Sequence, residues 1–245
     1  MVTIAQLYSA LHRGSPGDAE FYRSICKGVR WVLELGCGHG RLTFELAQVC
    51  DFVVGVDQDS NMLKLADVRL ETNPLPNVEL FCADMAQLSI DRKFDRILIP
   101  FTTAFCLDRP RLKSCLAWCS KHLSADGILA LDVYPAEIFH ESDVSFTEFD
   151  HLENIEVMGV EYDVCEKTSV RRLDQEISVT YRHTRLGLDG DNEPIDYTIK
   201  HHYVLMKEWP NLLRNAGFSN WEFYGDFNGS SANIDADRFI VLSSN

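Results

Sequence analysis

The chain has 245 residues, 46% apolar and 24% charged, which fits a soluble α/β domain with an insertion or a small cap. Its formal net charge is -14, with 37 Asp and Glu against 23 Lys and Arg, the wrong sign for neutralising phosphates, so nucleic acid is not an expected partner. The basic clusters Arg171-Arg172 and Lys200-His201-His202 are too small for a nucleic-acid footprint and read as solvated strand ends.

The N-terminal stretch MVTIAQLYSALHRGSPGDAE has no basic region followed by a long apolar one, so no signal peptide is expected. No apolar run approaches the ~20 residues of a membrane span. Ile4, Leu7, Tyr8 and Leu11 fall on one helical face. Gly14-Ser-Pro-Gly17 breaks that helix, and Asp18 is expected to cap a second one, Ala19 to about Lys27, with Phe21, Tyr22 and Ile25 apolar.

A strand-helix alternation begins at Arg30. Trp31–Leu35 is a short strand ending in glycines, and residues 40–50 read as a helix with Leu42, Leu46, Ala47 and Val49 inward. Phe52–Val56 is a second strand, and Ser60 is expected to cap a helix at about 61–71. Further strands follow at Val78–Cys82, Phe94–Ile99 and Ile128–Val133, with a helix at 109–122. Short apolar strands joined by helices predict a parallel sheet with helices on both faces, and such sheets hold ligands at their C-terminal strand ends. Here those ends carry Gly36, Asp57, Asp84, Pro100 and Tyr134.

Beyond about residue 137 the segments VEYDVCEKTSV, QEISVTYRHTRL and YTIKHHYVLM are rich in Val, Ile, Thr and Tyr, with a turn signal at Asp189-Gly190. They predict antiparallel strands between about 140 and 206. A helix from Glu208 to Asn215, ending at Gly217, and strands at Phe218–Tyr224 and Arg238–Leu242 close the chain.

Cys26, Cys37, Cys50, Cys82, Cys106, Cys115, Cys119 and Cys165 form no C-x-x-C pair and lie mostly in apolar runs. They read as reduced thiols, which favours a cytoplasmic protein. Cys115 and Cys119 have a helical i,i+4 spacing but no matching second pair, so no metal site is expected.

The stretch Val32-Leu-Glu-Leu-Gly-Cys-Gly-His-Gly-Arg41 carries the chemistry. Its glycines at 36, 38 and 40 allow a sharp strand-to-helix turn and close approach of a ligand to the backbone. The third glycine comes one residue too early for G-x-G-x-x-G, which weighs against a nucleotide-dependent oxidoreductase, and a P-loop Lys is absent. Asp57 stands 21 residues after Gly36 at a strand tip, where a carboxylate can accept both hydroxyls of a ribose. Asp84, at the next tip, can accept from an adenine amino group.

VLELGCGHGRLTFELA, VVGVDQDSNMLKLA, FCADM, FDRILIPFTTAF and LSADGILALDVY, in this order over residues 30–135, resemble the class I S-adenosylmethionine (SAM)-dependent methyltransferases. SPGDAEFY and NLLRNAGFSNWEFYGDF are similar to the small-molecule branch of that family. The resemblance implies SAM as cofactor, S-adenosylhomocysteine as product, and a Rossmann-like seven-stranded, mostly parallel sheet. It divides the chain into a helical lid (1–29), a cofactor core (30–136), an antiparallel cap over the acceptor site (137–206) and a closing helix and strands (207–245). Glu34, Gly36, Cys37 and Gly38 would frame the methionine part, Asp57 the ribose, and Gln58, Asp84 and Met85 the adenine. Pro100, Phe101 and Thr102 would sit near the sulfonium. Tyr8, Phe21 and Tyr22 could close over the cofactor, and Arg41 could reach its carboxylate.

For the acceptor, the candidates are His183, His201, His202, Tyr181 and Tyr203. Strand alternation puts His201 and His202 on opposite faces, so at most one points into a pocket. Asp132 and Tyr134 are expected to border the same cavity. The run Ile99-Pro-Phe-Thr departs from the Asn-Pro-Pro-Tyr pattern of relatives that act on nucleobase or glutamine amino groups, which argues against those acceptors. The expected partner is a small-molecule acceptor, methylated at N or O by in-line displacement, with no nucleic acid or membrane and a monomeric or homodimeric chain. A SAM-binding protein without turnover and a protein methyltransferase remain as alternatives.

Overall fold

Thr3 and Gln6 each accept the other's backbone N–H, and this capping box starts α1 (Ile4–Leu11). The computed structural model describes residues 2–141, 148–187 and 193–245, and the elements counted below are those of these residues. The Asp189-Gly190 turn lies outside them. The second helix, α2 (Asp18–Cys26), is capped by Gly17 in a left-handed conformation rather than by Asp18. Asp18 is the first residue inside, and its carboxylate accepts the Ser15 N–H at 3.0 Å.

The alternation then runs β1 (Trp31–Leu35), α3 (Thr43–Leu46), β2 (Phe52–Asp57), α4 (Ser60–Thr72), β3 (Val78–Cys82), β4 (Phe94–Ile99), α5 (Arg109–His122) and β5 (Leu123–Val133). Regular helix covers only four residues of the expected 40–50 stretch. Beyond it, Gln48 and Val49 donate to the carbonyls three residues back, a tighter turn than an α-helix. Leu42, Leu46 and Ala47 still face inward. Asp59, not Ser60, caps α4, its side chain accepting from the Asn61 N–H. The strand β5 begins five residues before the expected Ile128, at Leu123.

The remaining elements are α6 (Glu137–Glu141), β6 (Asp150–Val157), β7 (Val160–Arg171), β8 (Glu176–Arg185), β9 (Ile195–His202), α7 (Trp209–Ala216), β10 (Asn220–Tyr224) and β11 (Phe239–Ser244). Gly217 ends α7 in the left-handed conformation, as its position suggested.

The described strands form two sheets. One has seven strands in the order β10-β11-β5-β4-β1-β2-β3. It is parallel throughout except where β11 runs antiparallel to β5 and β10. Chain direction across the sheet switches at the β1–β4 neighbours, the place where open α/β sheets form a ligand crevice. The second is a meander in the order β6-β7-β8-β9, antiparallel throughout.

Contacts divide the chain into two compact units. One holds residues 14–137 and 204–245, with the seven-stranded sheet. Tyr22 and Cys26 of α2 pack there with Leu42, Leu46, Val32, Val53, Leu98 and Ala130. Leu33, Val54, Ile97 and Leu129 point the other way on the same strands and are also buried, so both faces of the central strands are covered. The other unit holds residues 1–13 and 138–203. There Leu7 and Leu11 of α1 pack on Ile155, Val157, Tyr162 and Val164 of the meander. The two N-terminal helices thus belong to different units. No described helix is long and apolar enough to cross a membrane.

Candidate active site

The tip of β1 runs into three glycines with positive φ: Gly36 at 76°, Gly38 at 55° and Gly40 at 77°. A Cβ on Gly36 would strike the Thr103 side chain, and one on Gly40 would lie 2.5 Å from the Phe44 ring. The glycines therefore serve the packing of the loop as well as its turn. Gly38 donates its N–H to Asp57 Oδ2 at 2.8 Å, and the Asp59 N–H donates to Oδ1 at 2.8 Å. Both carboxylate oxygens are oriented by backbone, and each keeps a lone pair for a further donor. Burial raises the Asp57 pKa, opposed by these hydrogen bonds.

Glu34, one residue from the end of β1, is buried and accepts a 2.5 Å hydrogen bond from the Thr43 hydroxyl. Burial pushes its pKa up to about 8. Cys37 is buried, and burial raises its thiol pKa, so it stays protonated. Gln58 is exposed and Met85 half-buried.

Asp84 holds more partners than a bare acceptor would. Its Oδ1 accepts from the Ala86 N–H and from Arg111, each at 2.9 Å, and its Oδ2 accepts from Gln87 at 3.3 Å. The Ala86 hydrogen bond leads the causes that lower its pKa.

After β4 the backbone kinks sharply. Pro100 is buried, and Phe101 and Thr102 both take positive φ, at 54° and 64°. Two consecutive non-glycine residues in this region are a strained pair. Asp132 on β5 holds them: its Oδ1 accepts the Phe101 N–H at 2.8 Å and its carbonyl accepts the Thr102 N–H at 2.9 Å. The same Oδ1 accepts the Tyr22 hydroxyl at 2.7 Å. Burial raises the Asp132 pKa, against the pull of Arg238, whose guanidinium lies 3.7 Å from Oδ2. Arg238 also donates to Thr102 Oγ1 at 3.0 Å and to Ser15, and lies over the Phe101 ring.

Tyr22 is thus enclosed in the core with its hydroxyl committed to Asp132. Arg41 is committed as well: Asp18 holds it through two hydrogen bonds, at 3.0 and 2.6 Å. Phe21 is half-buried against Phe227, with ring centroids 5.5 Å apart. Tyr134 meets Phe105 edge-on at 5.2 Å. Sequence reasoning missed Thr43, Arg111 and Arg238 as partners of site residues, and read Asp18 only as a cap.

In the meander unit, β8–β9 register sorts the acceptor candidates. Tyr181 pairs with Tyr197, His183 with Ile195 and Ile177 with His201, so Tyr181, His183 and His201 share one face. On that face Tyr8 and His12 from the end of α1 join them: His12 lies 4.2 Å from Tyr8 and 5.0 Å from Tyr181 by ring centroids. Burial, then His201 and His183, lower the His12 pKa to about 4. Burial, then His202, lower that of His201 to about 4. Burial also lowers that of His183, whose ring stacks on Tyr197 at 5.3 Å. His202 lies on the opposite face, 3.9 Å from Glu176. Tyr203 is buried and hydrogen-bonds His140 at 3.0 Å. His12 was not among the sequence candidates, although its i,i+4 spacing from Tyr8 was a readable signal.

Strand order, the glycine turn at the β1 tip and the carboxylate at the β2 tip converge with what known proteins show. Residues 32–127 match the family model described as a methyltransferase domain. This part of the chain therefore carries a methyltransferase domain, set in a fold shared with methyltransferases of known structure. Over 254 aligned residues the chain is 24% identical to a putative methyltransferase of Geobacillus sp. (strain WCH70), covering 98% of each protein. Its fold is similar to the CcbJ methyltransferase from Streptomyces caelestis, with a TM-score of 0.81 at 20% identity over 99% of this chain and 96% of that one. It is also similar to CalS10, an amino pentose methyltransferase from Micromonospora echinaspora, with a TM-score of 0.74 at 18% identity over 100% of this chain and 98% of that one.

Proposed function

We propose that this methyltransferase acts on a small-molecule acceptor, methylating nitrogen or oxygen, in the cytoplasm. The observation that carries the cofactor half is the Gly38–Asp57 hydrogen bond, which fixes a backbone turn and a ribose-competent carboxylate against each other. The fit extends along the strand ends: Glu34, Gly36, Cys37 and Gly38 for the methionine part, Asp57 for the ribose, Gln58, Asp84 and Met85 for the adenine, Pro100 and Phe101 beside the reacting centre. SAM supplies an activated methyl group on its sulfonium.

The chain's own residues then position and shield. Asp132 and Arg238 hold the Phe101–Thr102 kink in one conformation, a preorganised wall beside the reacting atoms. Asp57 contributes two acceptor positions that need no rearrangement. His12 and His201 are held neutral at physiological pH, and with pKa values of about 4 they are weak bases, which suits an acceptor that has already lost its proton. Tyr8, Tyr181 and His183 share their face, while His202 is turned away from it. The small-molecule reading is supported by the acidic charge and by the likeness to CalS10 along its whole length, the meander included. The eight free cysteines fit a reducing compartment.

The test is calorimetric titration of the full chain with SAM and, separately, with NAD(H). Asp57→Ala should weaken SAM binding by about tenfold or more, since a hydrogen bond to a charged group contributes ~1.5–3 kcal/mol. NAD(H) binding in place of SAM, or SAM binding that the folded variant keeps, would overturn the cofactor placement. Methyl transfer from labelled SAM to amino sugars and to hydroxylated small molecules then tests the acceptor class. Transfer only to proteins would overturn it.

A further inference from the structure

The meander has a second face, opposite the one that α1 covers. Strand alternation puts Tyr162 and Val164 of β7 under α1 and turns Asp163 and Cys165 outward. Cys165 pairs directly with His151 on β6. The ligating atoms of His151, Asp163 and Cys165 all lie within 4.8 Å of one another. His151 Nδ1 is 2.8 Å from Asp163 Oδ1, and the Cys165 thiol donates to Asp163 Oδ2 at 3.3 Å.

A local irregularity makes this possible. The β6–β7 register shifts between His151 and Glu153, so Leu152 is an extra, exposed residue. Without the shift, Glu153 would stand opposite Asp163 on the outer face, two like charges side by side. With it, Glu153 pairs with Val164 on the inner face, where it meets Arg13 after the end of α1, and uncharged Asn154 takes the place opposite Asp163. Arg182, opposite Cys165 on β8, is held by two hydrogen bonds to Asp196 at 3.0 and 2.7 Å, which offsets its charge beside the cluster.

We propose that His151, Asp163 and Cys165 form a binding site for a borderline-soft divalent metal ion of the zinc type. One imidazole, one carboxylate and one thiolate are three of the four ligands such an ion takes, and the thiolate selects it over magnesium or calcium. In a tetrahedral shell with bonds of about 2.0–2.3 Å the ligand atoms stand roughly 3.3–3.8 Å apart, within reach of this cluster by side-chain rotation. On binding, the metal replaces the hydrogen bonds centred on Asp163. The thiol proton and any proton held between His151 and Asp163 leave to solvent, and water takes the fourth position. The site lies within one unit and does not depend on the acceptor assignment.

The experiment uses the full chain, stripped with a chelator and titrated with Co2+ as a spectroscopic stand-in for zinc. One equivalent should produce a thiolate-to-cobalt charge-transfer band and the visible bands of tetrahedral cobalt, and zinc should bleach both. Cys165→Ser should abolish the charge-transfer band, whereas Cys82→Ser, at an exposed cysteine outside the cluster, should keep it. His151→Ala and Asp163→Asn should each weaken zinc binding at least about tenfold. Independently of any variant, zinc should protect Cys165 but not Cys82 from alkylation in the unaltered protein. A spectrum of hydrated cobalt alone, or a charge-transfer band that survives Cys165→Ser, or unprotected Cys165, would overturn the site.

Discussion

Glu34 shows how one buried side chain can link pH to stability. Its pKa is pushed up to about 8 by burial, against ~4.3 for an unperturbed Glu. Between those values the folded chain binds a proton that the unfolded chain has released. Stability from this group is therefore fully present below pH ~4 and is lost as pH rises toward ~8. Glu34→Gln should flatten this decline, so that denaturant midpoints of variant and parent measured at pH 5 and pH 8 differ less for the variant. An equal decline in both would show that Glu34 is already ionised in the fold. Glu34 and Asp57 were legible because the glycines and the strand tips sit at short, fixed spacings. Arg111–Asp84, Arg41–Asp18 and Tyr22–Asp132 were not, because their partners lie 27, 23 and 110 residues apart. The His151–Asp163–Cys165 cluster depends on cross-strand register and a bulge, which no spacing along the chain encodes.

At the scale of elements, α1 depends on the meander. An isolated helix of eight residues is unstable in water, so burial of Leu7 and Leu11 must hold it. Leu7→Ala should cost about 2–5 kcal/mol in that unit. Hydrogen exchange reads this directly: amides of α1, β6 and β7 should exchange faster, while those of β1 and β4 keep their protection. A uniform loss across both sheets would mean that the units open together. Most strands were readable because fully buried parallel strands are continuous apolar runs. Helix starts were off by one residue because neighbours competed for the same cap: Gly17 with Asp18, and Asp59 with Ser60. The third helix shrank because tighter turns serve the same inward apolar positions.

Over the whole molecule, the charge of -14 means self-repulsion that salt relieves. The screening length falls from ~30 Å at 0.01 M to ~8 Å at 0.15 M salt. Over that range thermal stability should rise by about 1 kcal/mol, ~2–4 °C in Tm, because exposed ion pairs such as Arg13–Glu153 lose little in exchange. A falling Tm would show that paired charges outweigh the repulsion. The alternation of strand and helix announced a parallel sheet and the family resemblance its seven strands, but the grouping of α1 with a meander that starts at Asp150 was hidden, since only tertiary packing brings them together.

The interleaving of the two units has a consequence for birth on the ribosome. In the finished sheet β5 is paired on one side by β4 and on the other by β11, which is synthesised more than a hundred residues later. The nascent chain must carry an open, strongly apolar strand edge while the entire meander emerges. That interval is when this protein is most exposed to mispairing with its neighbours. Only when β11 has emerged can that edge be sealed.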